Sequence, residues 1–146
     1  MPTDPKYLQN FSCFESLSRD QLQAVAEITN AVCYPSGYVL FEEGNPGDRL
    51  FFLMKGSVEV FYQIGEETRV NVDTVKGEDI VGCSVLVEPF TYTATEKSLT
   101  EVEVLEIDAA GLRNLMQNDR DLGFLIQKYV IDVLMDRILD LRLETA

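Results

Sequence analysis

Tyr34-Pro35-Ser36-Gly37-Tyr38-Val39-Leu40-Phe41-Glu42-Glu43-Gly44-Asn45-Pro46-Gly47-Asp48, followed by Leu50-Phe51-Phe52-Leu53-Met54-Lys55-Gly56-Ser57-Val58-Glu59-Val60, is the stretch that decides the fold. It holds three short apolar runs, Val39–Phe41, Leu50–Met54 and the alternating segment from Val58. Between them stand Pro35-Ser36-Gly37, Glu43 to Asp48 and Lys55-Gly56, rich in residues that favour tight turns. Runs this short, punctuated this often, predict antiparallel strands in a sandwich, roll or barrel.

The pattern continues downstream. Val70-Asn71-Val72-Asp73-Thr74-Val75 and Val102-Glu103-Val104-Leu105-Glu106-Ile107 alternate strictly, as half-buried strands do, and Gly65 and Lys76-Gly77 supply further turns. The β region is expected over about 31–107. Upstream, residues 1–17 read as a short lead-in. Ser18-Arg19-Asp20-Gln21 reads as a capping box, opening an amphipathic helix over about 18–30.

After Ile107 the period becomes helical. Asp108 is the expected N-cap of a helix over 109–117, and Asn118 or Asp119 that of a long helix running to about 143. The long helix is apolar on two faces. Leu122, Ile126, Tyr129 and Val133 form one stripe. Phe124, Ile131, Leu134, Ile138 and Leu141 form another, near heptad spacing. The second stripe either packs into the core of its own chain or forms a homodimer seam; the seam is favoured because the stripe otherwise lacks a partner.

Composition narrows the function classes. With 146 residues, 46% hydrophobic and 25% charged, the chain is expected to form one globular domain over 1–146, with C-terminal helices over about 109–143. Against 25 acidic residues stand 12 basic ones, a net charge of −13, so no direct nucleic-acid contact and no anionic membrane surface are expected as partners. The N-terminal residues form no signal peptide, and no apolar run approaches the roughly 20 residues of a membrane span, which points to the cytoplasm. Histidine is absent and Cys13, Cys33 and Cys83 are widely spaced. No metal site, no Ser–His or Cys–His catalytic pair and no cofactor are therefore expected, and Cys13 and Cys33 read as buried apolar residues. No enzyme motif is present. Gly82-Cys83-Ser84 lacks the second glycine of a nucleophile elbow.

Helix, glycine-punctuated strands and long C-terminal helix, with Gly37, Gly44, Gly47, Gly56, Gly77 and Gly82 in order, resemble the cyclic-nucleotide-binding superfamily over about residues 11–143. The layout is similar to the sensor half of the catabolite-activator type of bacterial regulator. The resemblance implies a mainly β fold with flanking α-helices: a jelly-roll-like β-roll, or double-stranded β-helix, with a ligand pocket. It also implies a phosphate-binding cassette, usually Phe-Gly-Glu, then Ala-Leu, then Arg-(Ser/Ala)-Ala-(Thr/Ser). There the Glu holds the ribose 2′-hydroxyl and the Arg pairs with the cyclic phosphate.

In this sequence the corresponding segment is Val81-Gly82-Cys83-Ser84-Val85-Leu86-Val87-Glu88-Pro89-Phe90-Thr91-Tyr92-Thr93-Ala94-Thr95. Gly82 matches the glycine and Thr93-Ala94-Thr95 the closing motif, but Cys83 stands at the Glu position and Tyr92 at the Arg position. Losing a buried charge pair with a ligand costs about 2–5 kcal/mol, so cyclic AMP or GMP is not expected to bind in the usual way. Gly82, Cys83, Ser84, Val85, Tyr92, Thr93, Ala94 and Thr95 are the candidate binding residues for a small polar or anionic ligand. The expected function is a regulatory small-molecule-sensing domain. Two alternatives stand beside it: a ligand-free dimerisation or protein-interaction module, and a thiol or haem redox sensor using Cys83, since relatives of this fold can carry haem. Regulators of this type carry a helix-turn-helix after the long helix. No DNA-binding domain is read here, so any role in transcription is expected to run through a partner chain or through the rest of a longer protein of which this is a part.

Overall fold

The computed structural model describes residues 3–9, 11–66, 68–76 and 79–145; Gly77 of the expected turn lies outside the described residues. The chain begins with α1 (Pro5–Leu8), a 3-10 turn (Ser12–Phe14) and α2 (Arg19–Glu27). Strands β1 (Thr29–Tyr34), β2 (Val39–Phe41), β3 (Arg49–Lys55), β4 (Ser57–Ile64), β5 (Thr68–Lys76) and β6 (Asp79–Val81) follow. A second 3-10 turn (Cys83–Leu86) leads to β7 (Thr95–Ser98), β8 (Val102–Asp108), α3 (Ala109–Asn118) and α4 (Arg120–Thr145). The strands form two antiparallel four-stranded sheets, ordered β1-β8-β3-β6 and β2-β7-β4-β5. This is the mainly β roll with flanking helices that the sequence predicts.

The unbroken apolar run in β3 has a direct cause. β3 lies inside its sheet, hydrogen-bonded to β8 and β6, and Leu50, Phe51, Phe52 and Leu53 are all buried. Both faces of the strand are therefore covered. Phe51 faces the other sheet, its ring centroid 6.0 Å from Phe41 on β2. Phe52 faces the helices, 4.9 Å from Phe11, 5.2 Å from Phe14 and 6.2 Å from Tyr129. The lead-in is thus part of the core: Leu8, Phe11 and Phe14, three residues apart, are buried against this side.

The caps fall where the sequence places them. Ser18 Oγ accepts from Gln21 N–H at 3.2 Å, and Gln21 Oε1 accepts from Ser18 N–H at 2.9 Å. α2 ends at Glu27 rather than near 30 because Thr29 already begins β1, its hydroxyl donating to Val25 O at 2.7 Å. Asp108 accepts from Gly111 N–H at 2.9 Å and caps α3. Asp119 accepts from Leu122 N–H at 3.1 Å and from Gln21 Nε2 at 3.0 Å, tying α2 to the start of α4. The Gln21 bond, with backbone N–H donors, holds the Asp119 carboxyl below its usual range.

On α4, Leu122 and Ile126 are buried, and Tyr129 and Val133 pack against the core. The second stripe does not enter this chain's core. Phe124, Ile131, Leu134, Ile138 and Leu141 are all exposed, Phe124 by 65%. Among the described residues, no helix is long and apolar enough to cross a membrane. Cys13 is buried as expected, but Cys33 is exposed and corrects the expectation. β1 is an edge strand of its sheet; Val32 and Tyr34 are half-buried, leaving Cys33 on the alternate, open side.

Candidate functional site

The segment between β6 and β7 is built around two glycines. Gly82 has φ +85°, a left-handed backbone that a side chain would strain, and its carbonyl accepts from Val85 N–H at 3.3 Å to start the 3-10 turn. Gly47 has no such φ but is pressed against this turn. A Cβ there would lie 2.2 Å from Val85 Cγ1 and 2.9 Å from Phe90 O. Gly47 N–H donates to Phe90 O at 2.7 Å, and Gly44 N–H to Tyr92 O at 2.8 Å. The β2–β3 loop and the cassette therefore share one hydrogen-bonded seam. From α3, Arg113 Nη1 donates to Val85 O at 2.8 Å, and its guanidinium sits 4.3 Å from the Phe90 ring centroid.

Between the cassette and α4 lies a cavity of about 380 Å³. Gly82, Cys83, Ser84, Thr93 and Ala94 line it, so five of the eight candidate residues come together on one wall. Three do not, and this corrects the sequence reading. Val85 is fully buried against Gly47 and the roll core. Thr95 turns to the β2–β3 loop, where its hydroxyl accepts from Glu43 N–H at 3.0 Å.

Tyr92 also points away from the cavity. Its ring stacks on Phe41 at 4.0 Å and 11°, and its hydroxyl accepts from Arg49 N–H at 3.0 Å. The same hydroxyl lies 2.7 Å from Arg49 O and 3.1 Å from Asp48 Oδ1, acceptors for its proton. Burial, with the Asp48 carboxylate nearby, pushes the Tyr92 phenol up to about 12. The side chain at the cassette's Arg position is a core pillar.

Other cavity walls come from residues outside the candidate set; one of them, Leu134, was expected in the dimer seam and instead lines the cavity, 41% exposed. Phe41 and Val60 form part of the roll side; Val130, Leu134 and Arg137 of α4 face the cassette. The α4 residues are spaced i, i+4 and i+7, a pattern legible in the sequence once that face is known to meet the roll. Glu96, buried on β7, and Glu88 add carboxylates. Burial pushes the Cys83 thiol above its usual value, the opposite of what a reactive thiolate needs.

Comparison with known proteins agrees with this fold. The family model of the cyclic nucleotide-binding domain matches residues 31–119. A CRP-like cAMP-activated global transcriptional regulator of Mycobacterium tuberculosis is 28% identical over 102 residues, 69% of this chain and 45% of the relative. A cAMP-dependent protein kinase regulatory subunit of Emericella nidulans is 26% identical over 110 residues, 75% of this chain and 26% of that protein. The chain thus spans less than half the length of either curated relative. A solved structure from Geobacter metallireducens GS-15, described as cyclic nucleotide-binding, superposes with TM-score 0.83 at 31% identity, covering 93% of this chain and 98% of the other. The sensor domain of the regulator DNR from Pseudomonas aeruginosa shares the fold, with TM-score 0.75 at 19% identity over 91% of this chain and 89% of that one. The chain belongs to the cyclic nucleotide-binding domain family, in the regulatory, catabolite-activator type of that family.

Proposed function

We propose that this cyclic nucleotide-binding-type regulatory domain senses a small polar or anionic molecule in the cavity between cassette and α4, and does not bind cyclic AMP or GMP in the usual way. One observation carries the reading. An open cavity of about 380 Å³ meets the cassette, yet Cys83 stands at the Glu position on its wall, and Tyr92, at the Arg position, is locked onto Arg49 and Phe41 away from it. The cassette therefore has neither a carboxylate at the Glu position nor a guanidinium at the Arg position, where the family's usual mode requires them. The domain binds rather than catalyses, acts in the cytoplasm and, at a net charge of −13, passes its signal to a partner chain rather than to nucleic acid directly.

α4 reports occupancy, because it closes the cavity on one side with Val130 and Leu134 and exposes an apolar face on the other. That face pairs with a second copy of the chain. A thermal-shift series with cyclic nucleotides and small organic acids tests the reading. A rise in Tm with an acid and none with cyclic nucleotides supports it; flat responses throughout overturn it. The exposed face also favours a second reading, a ligand-free dimerisation module, which the flat outcome would select.

A further inference from the structure

Beside Glu88 of the cassette, the cavity wall carries charged side chains from other elements. Arg137 reaches in from α4, its Nη2 donating to Ile80 O at 2.7 Å and standing 3.5 Å from Asp79 Oδ2. Its Nε–H is buried and has no hydrogen-bond partner among the described residues. Buried guanidinium donors are nearly always satisfied, and a guanidinium edge offers two parallel N–H groups to a carboxylate or phosphate. On the same cavity stands Glu96, 6% exposed, a carboxylate that only accepts hydrogen bonds. Ser84 and Thr93 add hydroxyls.

These groups select a ligand chemistry. A bare anion would meet Arg137 but also face the Glu96 carboxylate. A molecule with an anionic end and several hydroxyl donors satisfies both. The cavity, about 380 Å³, falls within the roughly 300–1,000 Å³ of sites that enclose a whole small molecule rather than an ion.

Resting on the sensing reading above, we infer that Arg137 and Glu96 are the polar ligand-binding residues of this cavity. Arg137 binds the anionic group, and Glu96 accepts from the hydroxyls, of a hydroxylated organic anion such as a sugar phosphate or a polyhydroxy carboxylate. The guanidinium and carboxylate of the site thus come from α4 and β7 instead of from the cassette. Because Arg137 lies three and seven residues beyond Leu134 and Val130, a ligand held by it lies directly against α4.

The test is isothermal titration of the full chain with ribose 5-phosphate, gluconate and inorganic phosphate. Either of the first two binding saturably, and inorganic phosphate more weakly by about tenfold or more, is the expected result; the tighter of the two identifies the anion. Arg137→Gln is expected to weaken that binding by about tenfold or more, Arg137→Lys less, and Arg120→Gln, exposed at the start of α4, not at all. Thermal melts of the free variants show that each remains folded. Binding that Arg137→Gln leaves unchanged overturns the assignment of Arg137 while leaving the sensing reading intact. Inorganic phosphate binding as tightly as the hydroxylated anions overturns the role of Glu96. Absence of binding by all three probes overturns the ligand class, and the sensing reading falls with it only if the broader thermal-shift series is flat as well.

Discussion

The ring of Tyr92 lies flat on Phe41, 4.0 Å between centroids, and its hydroxyl is anchored on the backbone of Arg49. This contact ties the end of the cassette to both the β2 and β3 strands. Tyr92→Phe keeps the stack but leaves the part-buried Arg49 N–H without this acceptor, at a cost of about 1–3 kcal/mol. Urea denaturation followed by circular dichroism is expected to show that loss.

The same residue gives the protein a pH dependence. The Tyr92 phenol is raised to about 12 from the ordinary 10.0, as is that of Tyr129, in both cases first by burial. A raised folded-state value means the native state binds more protons than the unfolded chain between these limits. The stabilisation is complete below pH 10.0 and is lost as pH rises toward 12. Alkaline unfolding is expected in that window, with a smaller slope in Tyr92→Phe; an equal slope in the variant would assign the effect elsewhere.

Gly47 and Val85 form a second link. A methyl group at 47 would stand 2.2 Å from Val85 Cγ1. Gly47→Ala is expected to destabilise by about 1–3 kcal/mol through overpacking, and Val85→Ala in the same chain to recover part of it, since the two sites share the clash. Additive losses in the double variant would show that the loop and cassette relax independently.

The strands with apolar signatures were legible, and so were the caps Ser18 and Asp108, with Asp119 as one of two candidates; Asp4, which caps α1 by accepting from Lys6 N–H, was not, because the lead-in carries no helical period of its own. β7 was not legible. Its sequence, Thr95-Glu96-Lys97-Ser98, is polar throughout, yet Glu96 and Ser98 are the buried pair. Ser98 is buried because its hydroxyl accepts from Tyr38 N–H at 2.9 Å and donates to Pro35 O at 2.7 Å. Alternation is present there without hydrophobicity, so a search for apolar periodicity passes over it. At the site, the sequence register placed Gly82, Cys83, Ser84, Thr93 and Ala94 on the cavity. It could not tell that Tyr92 turns inward, because that depends on the Arg49 backbone 43 residues away. Arg137 belongs to α4, and only the packing of α4 on the roll brings it to the cassette.

Cysteine reactivity separates the three thiols. Cys33 is exposed, whereas burial raises both Cys13 and Cys83 above the ordinary thiol value. Mass spectrometry after brief iodoacetamide treatment at pH 7.5 is expected to find Cys33 modified first. Rapid labelling of Cys83 would restore the redox-sensor reading.

The exposed face of α4 is expected to pair. Ile131 and Ile138, 60% and 42% exposed, lie away from the cavity wall. Sedimentation at micromolar concentration is expected to give a dimer for the protein and a folded monomer for Ile131→Glu with Ile138→Glu. A monomeric parent protein would remove the seam.

The central claim, a ligand cavity that has left the usual cyclic-nucleotide mode, is tested most directly by amide chemical-shift titration. With cyclic AMP at about 100 μM, the resonances of Gly82, Cys83, Ser84, Thr93 and Ala94 are expected to stay in place, because a lost charge pair of about 2–5 kcal/mol removes most of the affinity. With the tighter-binding of ribose 5-phosphate and gluconate, the same resonances, and that of Arg137, are expected to move and saturate. Saturable movement of the cassette with cyclic AMP at micromolar concentration would contradict the claim.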